Sequence, residues 1–138
     1  MMKTVEQAVR ETLDAAHHRS FEILHGQVQA SEIAYFPGGE AYLRVGPGFY
    51  GAGKAEMAVV ISRVSLVEKF MRQGIFNRLT KEAGRFAAEK GFALVHENVL
   101  ADFLAEKHRR EGLHELPGSA NVSSFILTAD KVKARYET

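Results

Sequence analysis

The chain has 138 residues, a length that typically forms one domain with its own core. Hydrophobic residues make up 46% and charged residues 25%, values typical of globular proteins, which excludes the disordered and fibrous classes. The formal net charge is +1 and cysteine is absent, which excludes a disulfide framework and cysteine chemistry and leaves no strong global field to attract nucleic acid.

The first residues are polar, and the chain has no run of 18 apolar residues. Secretion signals and membrane spans both require apolar stretches. We therefore expect a cytoplasmic protein with no membrane partner, folded as a single domain over residues 1–138.

The first half of the chain changes from a helical to a strand pattern. Apolar residues recur at helical spacing from Val5 to His18, and Thr4 with Gln7 predicts a capping box at the start of this helix. From Phe21 onwards the apolar residues alternate or form short runs, split by glycine-rich breaks at 37–39 and 46–53. This pattern predicts antiparallel strands and hairpins.

The second half alternates strands with helices. An unbroken apolar run before Ser62 indicates a central strand that is buried on both faces. The predicted elements are a strand at 57–67, a helix from Gly74 to Lys90, a strand at 92–95, a helix at about 99–110 and a strand at 122–127. Such an order is typical of an α/β domain with strand-helix-strand crossovers.

The turn around Gly74 has the features of an anion site. The first N–H groups of a helix have no intrahelical partner and lie at the positive end of its dipole, so they can hold a pyrophosphate. Gly74 allows a phosphate to approach the backbone closely, and Arg72 and Gln73 would add donors. A strand, a glycine and a helix are also the parts of an ordinary crossover.

Residues 70–79 resemble the signature of the GNAT superfamily, which is Arg or Gln, two residues, Gly, one residue, and Gly or Ala. Phe70, Gly74-Ile75 and Leu79 match that pattern. Met71 stands where the family has Arg or Gln, and Phe76 replaces a small residue. The resemblance implies an α/β fold with a central mixed sheet flanked by helices, and acetyl-CoA as co-substrate without a metal.

A second segment resembles the later half of the same family. Asn98 matches an Asn at the end of a short strand, and Gly112-Leu113 matches the closing pair of the following helix. In the family, the strand with the Asn separates from its neighbour and the pantetheine arm enters the gap. The resemblance covers about residues 57–127, the CoA-binding half, and leaves 1–56 as a shortened acceptor-side half.

The resemblance also implies the site residues. Many members of the family have a tyrosine that protonates the leaving thiolate; counting back from Gly112 places His108 at that position, and counting forward from Asn98 places Ala105 there. His108 would be the acid, Glu97 or His96 the base, and a backbone N–H near Leu66 or Val67 would polarise the carbonyl. The residues expected to bind the cofactor are Leu66, Val67, Arg72, Gln73, Gly74, Ile75, Phe76, Asn77 and Asn98. As structural alternatives, Glu97 could cap the next helix and His108 could lie on a solvated helix end.

Two functions remain open from the sequence. The first is an acyl-CoA-dependent N-acyltransferase that moves an acetyl group to a primary amine of a small molecule or peptide. The second is a catalytically inactive module for ligand sensing or protein interaction, which Met71, Phe76 and the absence of the family's tyrosine favour. No nucleic acid is expected at a net charge of +1, and an exposed edge strand at 122–127 favours a homodimer.

Overall fold

The computed structural model describes residues 3–50, 55–71, 73–99, 102–117 and 123–137. The described residues form a mixed sheet in the order β1-β2-β3-β4-β6-β5. Its strands are β1 (Ala30–Phe36), β2 (Gly39–Phe49), β3 (Ala55–Leu66), β4 (Ala93–Val99), β5 (His114–Pro117) and β6 (Ser123–Leu127). The helices are α1 (Val5–His18), α2 (Ile75–Lys90), α3 (Asp102–Arg110) and α4 (Ala129–Tyr136). The predicted α/β class with a mixed sheet flanked by helices is confirmed.

Helix α1 begins as the sequence predicts. The Thr4 hydroxyl accepts a hydrogen bond from the Gln7 backbone N–H, and the Gln7 side chain accepts one from the Thr4 N–H. The chain then continues into a π-helical turn at Arg19–Ile23, so the strand expected from Phe21 is wrong. The Phe21 ring stacks on the Phe92 ring with the centroids 5.9 Å apart, so this turn packs against the residue that precedes β4.

The first three strands form an antiparallel arm. β1 pairs with β2, and β2 pairs with β3. The β1–β2 turn lies under Phe70, because a Cβ atom added at Gly38 would come within 2.4 Å of the Phe70 ring. This contact fixes the hairpin against the loop that precedes α2.

Helix α2 crosses from β3 to β4 and ends at Gly91, which adopts the left-handed conformation predicted for a C-cap. Arg10 of α1 donates hydrogen bonds to Glu82 and Glu89, which ties the two helices together. The main core lies between the helices and one face of the sheet. A smaller apolar cluster, which includes Val60 and Val95, lies on the opposite face.

The C-terminal part differs from the sequence prediction in several ways. β4 continues to Val99, so α3 begins at Asp102 and not near residue 99. β6 lies between β4 and β5, which makes it an inner strand and not the predicted edge strand. Helix α4 was not predicted; it packs on α2 with Tyr136 against Gly84. Among the described residues, no helix has the length and apolar character that crossing a membrane requires.

Candidate active site

The parallel strands β3 and β4 separate at one end of their contact. Their pairing runs from Ala58 with Ala93 to Ile61 with His96, although both strands continue beyond that last pair. The described backbone therefore opens into a V whose apex is the pair of Ile61 and His96. The Phe76 ring lies 5.9 Å from the His96 ring, so the first turn of α2 lies against this apex.

An extra residue in each strand explains the V. The register between β2 and β3 shifts by one residue, which leaves Ser62 as an extra residue in β3. The register between β4 and β6 shifts after His96, which leaves one extra residue at 97–98 in β4. A bulge bends its strand and increases the local twist. Because both bulges lie directly beyond the last β3–β4 pair, the two strands bend apart there.

Gly74 forms an open cradle at the start of α2. It adopts a left-handed conformation with φ 75°, and a Cβ atom added there would meet nothing within 4 Å. The first intrahelical bond runs from Arg78 N–H to the Gly74 carbonyl, so the N–H groups of residues 75–77 have no intrahelical acceptor. No described side chain caps this end, and its first turn contains no acidic residue. The residues present therefore fit a diphosphate.

The loop before the cradle is held by one hydrogen bond within it and one to the β1–β2 turn. The Gln73 side-chain amide donates to the Lys69 carbonyl at 2.9 Å. The Val67 N–H donates to the Gly38 carbonyl at 2.7 Å, so this N–H is already engaged. Met71 is exposed, and Arg72 lies outside the described residues.

A pair of buried histidines lies at the apex of the V. The rings of His96 and His108 stack with their centroids 4.1 Å apart, and each residue is 3% exposed. Burial, followed by the nearby His108 and Lys107, lowers the pKa of His96 to about 3. Burial also lowers the pKa of His108. Both rings are therefore neutral at pH 7.

A cavity of about 280 Å³ lies between α2, α3 and α4, and its lining reaches from the first turn of α2 past these histidines to Tyr136. Phe76 and Asn77 line one side of it, and His108 lines another. His108 Nε2 and Thr80 Oγ1 are buried and have no hydrogen-bond partner among the described residues. The Phe76 ring packs towards the histidines, so it leaves the space at Gly74 open.

Glu97 lies at the mouth of the V on the face opposite the helices. Val95 belongs to the smaller apolar cluster on that face. Glu97 comes two residues later in the strand, so its side chain lies on the same face. Arg44 of β2 forms an ion pair with its carboxylate, and the Ser62 hydroxyl donates to it at 3.1 Å. Glu97 therefore does not cap α3.

The sequence did not lead us to predict Arg44 or Ser62 as site residues. The signal for Ser62 was present, since it is the first polar residue after the long apolar run of β3. Nothing in the sequence pairs Arg44 with a carboxylate 53 positions later. Pairing of β2 with β3 and of β3 with β4 brings Arg44, Ser62 and Glu97 together.

The structure brings most of the predicted site residues to one region. Gly74, Ile75, Phe76 and Asn77 form the cradle and its first turn, while His96, Glu97 and His108 surround the apex of the V. Asn98 lies in β4 at the bulge, and the direction of its side chain stays a prediction. His108 is buried, so its alternative as a solvated helix end does not hold. The chemical roles of these residues stay predictions.

Neither family models nor curated protein sequences match this chain. Solved structures do match it by shape. A mutant of the AtaT toxin bound to the C-terminus of the antitoxin AtaR and acetyl-CoA aligns with 99% of this chain and 89% of its own, at 16% identity and a TM-score of 0.58. AtaT complexed with acetyl-methionyl-tRNA aligns with 96% and 88%, at 13% identity and a TM-score of 0.56. A KacTA–DNA complex aligns with 88% and 83%, at 15% identity and a TM-score of 0.53.

A mixed sheet whose parallel strands separate beside an uncapped helix start defines the class of the fold. Together with the structural matches, it shows that this chain has the fold of the GNAT superfamily. The resemblance read from residues 70–79 and 92–113 is confirmed as a likeness of fold. At these identities, the comparisons establish the fold alone.

Two expectations about partners are wrong. The net charge led us to expect no nucleic acid, and the resemblance favoured a small-molecule or peptide amine, but matching structures contain DNA and an acetyl-methionyl-tRNA. Net charge is a sum over the whole surface and does not describe how charges are arranged on it. Here 18 basic and 17 acidic residues nearly cancel, while individual cations such as Arg63, over the Tyr42 ring, remain exposed.

Proposed function

We propose that this protein is an acetyl-CoA-dependent N-acetyltransferase. The supporting observation is that the open Gly74 cradle lies against the apex of the V between β3 and β4. The helix N-terminus would bind the diphosphate of acetyl-CoA through unpaired N–H groups. The cavity that runs from Phe76 to His108 would receive the thioester end.

The chain supplies a group for each of three tasks in acyl transfer. The amine has to lose a proton, the carbonyl has to be polarised, and the thiolate has to be stabilised as it leaves. Glu97 would accept the amine proton, directly or through water. His108 would donate a hydrogen bond from its ring to the sulfur.

The carbonyl would be polarised by the N–H of Leu66. Successive residues of a strand direct their N–H groups to opposite sides. The Val67 N–H is directed to Gly38, on the β2 side. The Leu66 N–H is therefore directed to the other side, where β4 has separated.

For the acceptor, we propose the amino group of an aminoacyl-tRNA. One protein with this fold has been solved with acetyl-methionyl-tRNA, in which the amino group of the methionyl ester carries an acetyl group. The faces of the sheet support two routes of entry. The cradle lies on the helical face and Glu97 on the opposite face, so the donor and a large acceptor could approach the V from different sides.

Two measurements test this function. Acetyl-CoA should raise the melting temperature, since a ligand that prefers the native state stabilises it. Radiolabelled acetyl-CoA should then transfer its label to aminoacyl-tRNA, and Glu97→Gln should slow the transfer at least about ten-fold by removing the base. Glu89→Gln, which alters an exposed ion pair of α2 with Arg10, is the matched control and should leave the rate unchanged.

The second candidate is a module that binds the ligand without catalysis. The lowered pKa of His108 favours it, because a neutral imidazole is a weaker acid than an imidazolium. Saturable acetyl-CoA binding without transfer to any aminoacyl-tRNA would support this alternative. No stabilisation by acetyl-CoA would contradict both candidates.

A further inference from the structure

An aromatic surface lies on the face of the sheet opposite the helices. Tyr42 of β2 pairs with Ile33 of β1 on one side and with Arg63 of β3 on the other, so the three side chains form a row. Tyr35 lies in the next row and is 66% exposed, while Tyr42 is 38% exposed. We call this surface the platform; it consists of Ile33, Tyr35, Tyr42 and Arg63.

The chemistry of the platform suits nucleobases. The Arg63 guanidinium lies 5.8 Å from the centre of the Tyr42 ring. Within the described ranges, Arg63 has no carboxylate within 4 Å, so its charge is available to a phosphate. Exposed aromatic rings stack on bases, and arginine adds both charge and a planar surface.

The charges are distributed unevenly along the platform. Glu40 lies across from Tyr35, so the positive charge is concentrated at the Arg63 end. Arg63 directly follows Ser62, the bulge residue whose hydroxyl donates to Glu97. A strand of nucleotides bound on the platform would therefore end at the mouth of the V.

We propose that the platform binds the unpaired 3′-terminal nucleotides of an RNA acceptor, with Tyr42 and Tyr35 stacked on bases and Arg63 paired with a phosphate. This inference rests on the proposed function, because it takes the aminoacyl-tRNA as acceptor. The bound strand places its terminal aminoacyl group beside Glu97, on the face opposite the cradle. Acetyl-CoA and the RNA then occupy separate faces of one sheet.

The first experiment measures binding without acetyl-CoA, so that it does not depend on catalysis. The probe is a fluorescein-labelled single-stranded RNA oligonucleotide, and the readout is fluorescence anisotropy with the full chain. Tyr42→Ala should weaken binding about ten-fold or more, since the stacked ring is lost. Tyr42→Phe retains the ring and should keep the affinity. Phe49→Ala is the matched control, because Phe49 is a 74% exposed aromatic of the same strand, about 23 Å along it from Tyr42.

The outcomes show whether the platform binds RNA or a second copy of the chain. Equal affinity of the unaltered protein and Tyr42→Ala, or no binding of the probe at all, overturns the proposal. So does a dimer in sedimentation velocity that Tyr42→Ala converts to a monomer while RNA affinity is unchanged, because the platform then joins two copies of the chain. Loss of affinity in Tyr42→Ala with recovery in Tyr42→Phe supports it.

The second experiment distinguishes failure of the platform from failure of the proposed function. Transfer of acetyl to aminoacyl-tRNA that Glu97→Gln abolishes but Tyr42→Ala leaves intact supports the enzyme and overturns the platform. RNA binding that depends on Tyr42, without any acetyl transfer, supports the platform and contradicts the enzyme.

Discussion

His108 of α3 stacks on His96 of β4 with ring centroids 4.1 Å apart, at the apex where β3 and β4 separate. Both rings are buried, and burial lowers the pKa of each. A proton on either ring would place a charge against its neighbour in a medium that solvates it poorly. The pair is therefore a neutral part of the cavity wall, and a change in either ring affects both the candidate chemistry and the stability of the fold.

Replacement of His108 tests its role in transfer. His108→Phe keeps a ring in the stack but removes the nitrogen that could donate to a leaving sulfur. We expect turnover to fall about ten-fold or more while acetyl-CoA affinity is kept. Steady-state kinetics and calorimetric titration with acetyl-CoA measure the two quantities separately. Unchanged turnover would reject this role for His108, and an exposed-site control, His18→Gln, should affect neither quantity.

Acid should destabilise the protein through His96. Its pKa is about 3 in the folded state and about 6.5 when unfolded, so the unfolded chain binds more protons between these values. The stabilisation is complete above pH 6.5 and is lost as the pH falls towards 3, by about 2 kcal/mol between pH 6.5 and 5. Urea unfolding at pH 7 and pH 5 should show this loss. The loss should be smaller in His96→Gln, and an equal loss in both proteins would contradict the assignment.

Two glycines at the ends of α2 form a matched pair. Gly74 and Gly91 both have φ 75°, and a Cβ atom at either position would meet nothing within 4 Å. Gly74→Ala and Gly91→Ala should therefore each cost about 1 kcal/mol of stability, from backbone strain alone.

Only one of these variants alters the cradle. Gly74→Ala should weaken acetyl-CoA binding at least about ten-fold, or about 1.4 kcal/mol, because its Cβ occupies the approach of the phosphates. Calorimetric titration of both variants measures this difference. Equal acetyl-CoA affinities for the two would show that the diphosphate does not bind at Gly74.

Helix α4 depends on a glycine in the middle of α2. A Cβ atom added at Gly84 would lie 2.5 Å from the Tyr136 ring. Gly84→Ala should thus destabilise the protein by about 1–3 kcal/mol through overpacking. In a Tyr136→Ala background the clash is absent, and the same change should stabilise by up to about 1 kcal/mol through helix propensity. Denaturant unfolding of the four proteins measures the sign, and destabilisation in both backgrounds would contradict this contact.

Several features were predictable because their causes are local. The capping box of Thr4 and Gln7 and the left-handed cap at Gly91 each depend on residues within one helical turn. The cradle at Gly74 follows from the same kind of pattern, since a glycine directly precedes an amphipathic helix.

The sequence predictions were wrong or incomplete where contacts between distant segments decide the structure. β4 continues through 97–98 because it pairs with β6, and this extension moves the start of α3 to Asp102. Glu97 pairs with Arg44 and Ser62 from two other strands, so its sequence neighbours did not reveal its partners. Helix α4 depends on contact with α2 for its burial.

The sequence by itself determined the order β3-α2-β4-α3, which resembles that of the GNAT fold, the helix boundaries with strong caps, and the glycine at which an anion could bind. These follow from short-range hydrogen bonding and from the period of the apolar residues. Only the tertiary structure decided the V, the histidine stack, the Arg44–Glu97 ion pair and the platform around Tyr42. Each of these joins residues from separate strands or helices. Which residues come into contact depends on the register of strand pairing, and that register is a property of the assembled sheet.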